Sequence, residues 1–357
     1  MSEGPGRVLN SSWLQNEALG PLTSFGVPAR ARYFTHLEQE DELPILLAQA
    51  DHNDLPVLIL GGGSNMLFTD DFPGLVIQIA LRGISVRAES GANDWVLVNA
   101  AAGENWHSLV EYCLNNNLPG LENLALIPGS TGAAPVQNIG AYGVELADVL
   151  HSVRYFDRRN QQVHQISADE CQLSYRDSIF KHALKDHAVI LSVCLRLSRH
   201  TRPRLSYPAL QQALANNPQP GARDVFDAVC AIRRSKLPDP RVLGNAGSFF
   251  RNPLVTVAKW QLLRQTWPDL PAYETDVPDM RKLPAAWLIE HAGWKGARAG
   301  DAGVHTQQAL VLVNHGQATG RQILALAQNV ARSVKERFDI TLEPEVNILP
   351  ANAWQGW

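Results

Sequence analysis

At 357 residues the chain exceeds one ordinary core, and 45% hydrophobic against 18% charged side chains exclude a disordered tail, so two or three buried domains are expected. A formal charge of −4, from 31 basic and 35 acidic residues with no basic block, argues against nucleic acid as the main partner. Scattered Cys113, Cys171, Cys194 and Cys230 form no Cys-x-x-Cys pair, and no run reaches the roughly eighteen apolar residues of a membrane span, so the reading is a soluble cytoplasmic protein with reduced thiols and no metal site.

Residues 1–20 are polar and Gly/Asn-rich; they lack a signal peptide's pattern and read as a loose N-terminal extension. A helix is expected over Asp41 to Ala50, with Pro44 in its first turn. The apolar run Val57 to Leu60 reads as a strand ending in a glycine loop, and Leu75 to Ile79 and Trp95 to Asn99 as further strands. Trp106 to Asn115 has helical spacing through Leu109, Val110 and Cys113. Ser152 to Asp157 and Gln162 to Ile166 flank Arg158-Arg-Asn160 as a hairpin would, and alternating Val189, Leu191, Val193, Leu195 and Leu197 predict a strand. Pro203 to Pro220, rich in Pro, Gln and Asn, reads as a loop or domain linker. Ala309 to Asn314 is a predicted strand, Thr319 caps a predicted helix running to about Phe338, and Ile340 to Ile348 follows as a strand.

Five motifs carry chemistry. Gly61-Gly62-Gly63-Ser64-Asn65 follows the first of these strands and resembles an anion cradle of backbone N–H groups, although no Gly-Lys-Ser/Thr follows and Met66 replaces the third glycine of a Rossmann fingerprint. A second small-residue tract, Pro128 to Gly143, leaves backbone to face whatever binds there, and two such tracts suit a long ligand with a diphosphate. In Tyr175-Arg-Asp-Ser-Ile-Phe-Lys181 the Arg176 guanidinium could clamp a carboxylate, with an Arg176–Asp177 surface turn as the alternative. Gly244-Asn-Ala-Gly-Ser-Phe-Phe-Arg-Asn-Pro253 sets Ser248 between a glycine approach and a rigid aromatic exit; a plain glycine turn with two core phenylalanines is the bland reading. Lys236 precedes it as a possible phosphate contact. In Leu342-Glu-Pro-Glu-Val346 alternation puts Glu343 and Glu345 on the face opposite Leu342 and Val346, and periodicity does not choose between the glutamates.

Together, from about Thr23 to Val346, these motifs resemble those of the UDP-N-acetylenolpyruvoylglucosamine reductases, flavoenzymes of bacterial peptidoglycan synthesis. Tyr207, following Arg204-Leu-Ser206, matches the subtype with a tyrosine loop over the substrate. The resemblance implies an α+β protein: an FAD-binding region of the vanillyl-alcohol-oxidase (PCMH) type in two subdomains over 21–200, a tyrosine loop and linker over 201–235, and a C-terminal α/β substrate domain over 236–348. It implies FAD contacts at Gly61, Gly62, Gly63, Ser64 and Asn65, and at Pro128, Gly129, Ser130, Gly132, Ala133, Gln137, Asn138, Ile139, Gly140 and Gly143. Arg176, Ser248 and Glu345 match the catalytic positions, and Tyr207, Lys236, Asn252, Lys295 and Gln308 the substrate-binding ones.

The implied chemistry is reduction of FAD by NADPH, then hydride delivery to the vinyl carbon of UDP-N-acetylglucosamine enolpyruvate. Arg176 and a protonated Glu345 would hold the developing enolate charge while Ser248 protonates the neighbouring carbon. A monomer is expected. Asn347 stands where the family commonly has a basic residue, and the tail drifts after it. The alternatives are another flavin oxidase of the same fold, which O₂ would reoxidise, and a silent nucleotide-sugar-binding module.

Overall fold

The structure is a computed structural model that describes residues 13–89 and 91–354. The chain forms two compact units, each assembled from separate stretches. The first includes Tyr33–Gly62 and Pro73–Ser235; the second includes Asn16–Arg32, Gly63–Phe72 and everything described from Lys236 onward.

The first unit is built on an antiparallel sheet with strand order Gln162–Ser167, Leu150–Asp157, Ala188–Ser198, Ala92–Ala101, Ile84–Glu89. The hairpin expected around Arg158-Arg-Asn160 forms, with Asp157 opposite Gln162. In the central strand Val193 pairs with both Val153 and Ala100. The alternation read from its sequence understates its burial: Ile190, Ser192 and Cys194 on the other face are buried too, so both faces of this strand are covered. Beside this sheet, strands Arg30–Leu37, Phe72–Ile79 and Val57–Leu60 lie next to one another, the last two parallel with Val57 opposite Leu75. The predicted helices form as Glu42–His52 and Trp106–Asn115. Asn105 caps the second through its Oδ1, which accepts from the Ser108 N–H at 3.0 Å. Inside the core Trp106 is 1% exposed, and its Nε1–H donates to the Leu124 carbonyl at 3.0 Å.

Other expectations need correction. The stretch read as a loop and linker over 201–235 holds helices Pro208–Ala213 and Ala222–Lys236. Leu210, Val225, Phe226, Val229 and Cys230 bury themselves in the first unit's core, so apolar spacing at i, i+4 overrides the Pro- and Asn-rich composition. At the other end, residues 1–12 lie outside the described residues, but 13–20 are not a loose lead-in: Leu14–Ala18 is a strand flanked by buried Trp13 and Leu19.

In the second unit strands Gly244–Ser248, Val311–Asn314, Ala302–Val304 and Arg298–Ala299 form an antiparallel sheet in that order. Helix Gly320–Phe338 carries a capping box between Thr319 and Gln322 and buries Ile323, Ala327, Val330, Val334 and Phe338. The single strand expected over Ile340 to Ile348 is shorter. Only Asn347–Leu349 pairs, in parallel with Met66–Phe68, because Pro344 has no N–H to sustain a ladder and makes only an isolated bridge to Phe250. No described helix is long and apolar enough to cross a membrane, and the described residues hold no cluster of three metal-ligating side chains. The four cysteines are free and buried, and burial pushes the Cys113 and Cys171 thiols up to about 12.

Candidate active site

In the first unit the two small-residue tracts meet. A Cβ on Gly62 would lie 2.8 Å from the Gly129 Cα, and one on Gly61 would lie 2.6 Å from the Ser130 Oγ. Only glycine permits this backbone approach, and the pair makes a cradle whose walls are peptide groups. That surface fits the diphosphate of a dinucleotide such as FAD. Gly132 sits against Ala102 just as closely, its N–H donating to the Ala102 carbonyl at 2.9 Å, so the tract rests directly on the sheet. Short turns at Thr131–Ala133 and Pro135–Gln137 follow, and Asn138 takes a left-handed φ of 44°. Its side chain is committed to partners beyond the tract: Nδ2 donates to Glu145 Oε2 and to the Ser174 carbonyl, and Oδ1 accepts from the Ala147 N–H. Among the glycine-loop and tract residues, Asn138 is therefore a scaffold through its side chain and offers a ligand only backbone. Ile139 is buried, with its N–H donating to Ala134, and Gly140–Ala141 pairs with Val144–Glu145 in a small hairpin turning at Gly143, φ +81°.

Arg176 occupies the tip of a tight turn bridged between Ser174 and Asp177, in a left-handed conformation with φ 55°. The surface pairing with Asp177 does not form: Asp177 meets His182 at 2.7 Å, while Arg176 Nη2 donates to the Gly140 carbonyl at 3.0 Å. Lys181 Nζ donates to the Arg176 carbonyl at 2.9 Å and holds the turn. The guanidinium is thus aimed at the small-residue tract. Tyr207, 44% exposed, heads helix Pro208–Ala213 with its ring edge-on to Tyr142 at 5.1 Å.

Sequence reading missed Arg233, on helix Ala222–Lys236. Its Nε is buried without a hydrogen-bond partner among the described residues, burial lowers its pKa, and Tyr142, Cys230 and Arg176 are among the ionisable groups near it. Burying one cation beside a second is costly, and a bound anion offsets that cost. The spacing Val225, Val229, Arg233 was the available signal: it puts the arginine on the buried stripe of its helix.

In the second unit Gly63 and Ser64 fold against Ser24, whose N–H donates to the Gly63 carbonyl and whose Oγ donates to that of Ser64, both at 3.1 Å. Asn65 Nδ2 donates to the Glu345 carbonyl at 3.1 Å, and the Asn347 N–H donates to the Asn65 carbonyl at 3.0 Å. Glu345 in turn donates its N–H to the Phe249 carbonyl at 2.8 Å, with Arg251 N–H to Glu343 on the far side of the bridge. Glu345 is thereby fixed beside the residue that follows Ser248. Ser248 ends strand Gly244–Ser248 after an irregularity that starts at Asn245. Asn245 shapes it: Nδ2 donates to the Pro238 and Leu243 carbonyls, and Oδ1 accepts from the Gly247 N–H at 2.9 Å, where φ is +69°. Phe249 and Phe250 are fully buried and pack edge-on at 5.0 Å, so they are core.

The substrate-binding residues expected from sequence have mixed settings. Lys236 is exposed at the end of its helix. Asn252 Oδ1 accepts from the Ala285 N–H at 2.9 Å at the head of helix Ala285–His291. Lys295 meets Glu290 at 2.8 Å and is exposed, and Gln308 lies in a turn where its carbonyl accepts from the Val311 N–H.

Comparison with known proteins follows the same two parts. Residues 31–167 match the family described as "FAD binding domain", and residues 239–349 match "UDP-N-acetylenolpyruvoylglucosamine reductase, C-terminal domain". The reductase of Pseudomonas aeruginosa is 50% identical over 333 residues, 93% of this chain and 97% of the relative; that of Shewanella oneidensis is 48% identical over 335 residues, 94% and 96%. The fold is similar to the crystal structure of the Thermus caldophilus reductase, with a TM-score of 0.64 at 24% identity over 93% of this chain and 97% of that one. With both domains matched and half of its residues identical to such relatives over nearly its whole length, the chain belongs to the UDP-N-acetylenolpyruvoylglucosamine reductase family, FAD flavoproteins of peptidoglycan synthesis.

Proposed function

We propose that the protein uses NADPH to reduce the enolpyruvyl ether of UDP-N-acetylglucosamine enolpyruvate to the lactyl ether of UDP-N-acetylmuramate, with Ser248 as proton donor and Arg176 and Glu345 as charge-holding groups. The observation that carries this reading is the bond from the Glu345 N–H to the Phe249 carbonyl, which keeps a carboxyl and the Ser248 hydroxyl on adjoining chain segments. FAD, when bound, supplies the hydride it has taken from NADPH.

The protein residues then have distinct tasks. Arg176 receives the substrate carboxylate, to which a planar guanidinium offers two parallel donors. As a hydride adds to the terminal vinyl carbon, negative charge moves through the adjacent carbon into that carboxylate. Arg176 and a protonated Glu345 stabilise this charge more in the transition state than before it, which is what lowers the barrier. Ser248 gives its Oγ proton to the carbon bearing the ether oxygen, and water restores the hydroxyl. Serine is a weak acid, but a carbon centre carrying enolate charge is basic enough to take its proton. Gly61, Gly62 and the tract from Pro128 to Gly143 would hold the flavin diphosphate by backbone N–H groups. Tyr207, Lys236, Asn252, Lys295 and Gln308 bind the nucleotide sugar.

The test follows NADPH absorbance with and without the enolpyruvyl substrate. Substrate-dependent loss is expected. NADPH loss at the same rate without substrate in air would favour an oxidase, and no loss in either case would contradict the reading.

A further inference from the structure

Asn123 sits on the turn Glu122–Leu124, just ahead of the Pro128 to Gly143 tract, and is 1% exposed. Its neighbours Leu121 and Leu124 are core residues, and the Glu122 carboxylate accepts the Gly120 N–H at 2.6 Å, so the turn is a rigid platform. A primary amide has two N–H donors on one nitrogen. Asn123 Nδ2 donates to the Tyr142 carbonyl and to the Arg204 carbonyl, each at 2.9 Å. One buried amide thus joins the turn of the small-residue tract to the segment that leads into Tyr207.

Three further contacts gather at that joint. Tyr142 has a φ of 50°, a conformation disfavoured for a residue with a Cβ, and its ring meets that of Tyr207 edge-on at 5.1 Å. Gly143 presents its bare Cα to the segment: a Cβ there would lie 3.2 Å from the Ser206 Oγ. Arg204 Nη1 pairs with Asp148 Oδ1 at 2.9 Å, and Asp148 Oδ2 accepts the Glu145 N–H at 2.9 Å, so the guanidinium is tied back to the same hairpin. Beyond Tyr207, Leu210 is fully buried, which fixes the helix on the other side. The exposed phenol is therefore held from both ends, and on its N-terminal side a buried side chain, Asn123, makes the connection.

We infer that Asn123 is a positioning residue for substrate binding: it places the Tyr207 ring by clamping the Tyr142 and Arg204 carbonyls. This rests on the substrate-binding role given to Tyr207 above. Without the clamp, Tyr142 is free to leave its left-handed conformation, and Tyr207 must be ordered when substrate binds, so affinity falls while the reacting groups are untouched.

The experiment compares wild type, Asn123→Leu and Asn123→Asp, each alone and combined with Tyr207→Ala. Two quantities are read: the dissociation constant of the enolpyruvyl substrate by calorimetry without NADPH, and KM against kcat with it. Asn123→Leu removes both donors at similar size, and Asn123→Asp keeps the shape but faces both carbonyls with oxygen. Flavin content and melting temperature report folding. Each Asn123 variant should weaken binding and raise KM by about tenfold, with kcat changing less than about threefold. In the Tyr207→Ala background the same substitutions should change affinity by less than about twofold, since the ring they act through is gone. An unchanged dissociation constant, an equal loss in both backgrounds, or loss of bound flavin in both variants would overturn the inference. Absence of substrate turnover in the wild type would instead defeat the functional reading on which it rests.

Discussion

Arg176 and Arg233 are cations of the first unit that lie close to one another, Arg176 with its Nη2 on the Gly140 carbonyl and Arg233 with its pKa lowered by burial. Arg176 needs its planar fork, so Arg176→Lys should lower kcat/KM by roughly 10²-fold, the scale of losing one oriented donor at a developing anion. Near-normal steady-state turnover would remove Arg176 from the chemistry. Arg233 makes a different prediction, because a buried charge facing another cation costs stability in the ligand-free protein. Arg233→Met keeps the apolar stem and removes the charge. The ligand-free variant should melt no lower than wild type, whereas its affinity for FAD or substrate should drop. A melting temperature that falls sharply would mean the guanidinium has a structural partner.

At the scale of elements, the glycines show what a backbone approach demands. Gly62→Ala would drive a Cβ to within 2.8 Å of the Gly129 backbone, where no flexible side chain can yield. The purified variant should lose most of its flavin absorbance while keeping its far-ultraviolet circular dichroism; retained flavin would show that the tracts are not the cradle. Capping gives a milder test: Thr319→Ala removes the hydroxyl that accepts the Gln322 N–H and should cost about 1 kcal/mol in denaturant unfolding. Periodicity made helices Trp106–Asn115 and Gly320–Phe338 legible in the sequence to within a residue or so, since each carries an apolar stripe and a polar cap. Helix Ala222–Lys236 was not read, because its neighbours' Pro and Asn suggested a linker while its Val225, Phe226, Val229 and Cys230 stripe was the stronger signal. Motif order carried the recognition of the family. The scaffold roles of Asn123 and Asn138 were hidden for a physical reason: Asn123 bonds to the Tyr142 and Arg204 carbonyls and Asn138 to that of Ser174, groups brought close by the fold, and no local spacing encodes that.

Across the whole molecule, charge sets the acid limit. The Arg159 side chain bonds the Asp157 carboxylate and holds it at about 2, and Asp157 itself is 3% exposed. Lys259 and Lys335 hold Asp339 at about 2 in the second unit. Carboxylates depressed in the folded state contribute stability above the ordinary value of 3.8 and lose it as pH falls through about 2. Melting temperature should therefore drop between about pH 4 and pH 2, and Asp157→Asn should flatten that slope; an unchanged slope would discount the pair. The account's central claim concerns Ser248, which the second unit fixes next to Glu345 by the Phe249 carbonyl. The most direct measurement is stopped-flow absorbance of the flavin in Ser248→Ala, with each half of the reaction followed separately. Reduction by NADPH should proceed at close to the wild-type rate, since it needs no proton from Ser248. Reoxidation by the enolpyruvyl substrate should slow by roughly 10²–10⁴-fold, the usual contribution of a general acid. Equal slowing of both halves, or wild-type reoxidation, would contradict the assignment of Ser248 as the proton donor.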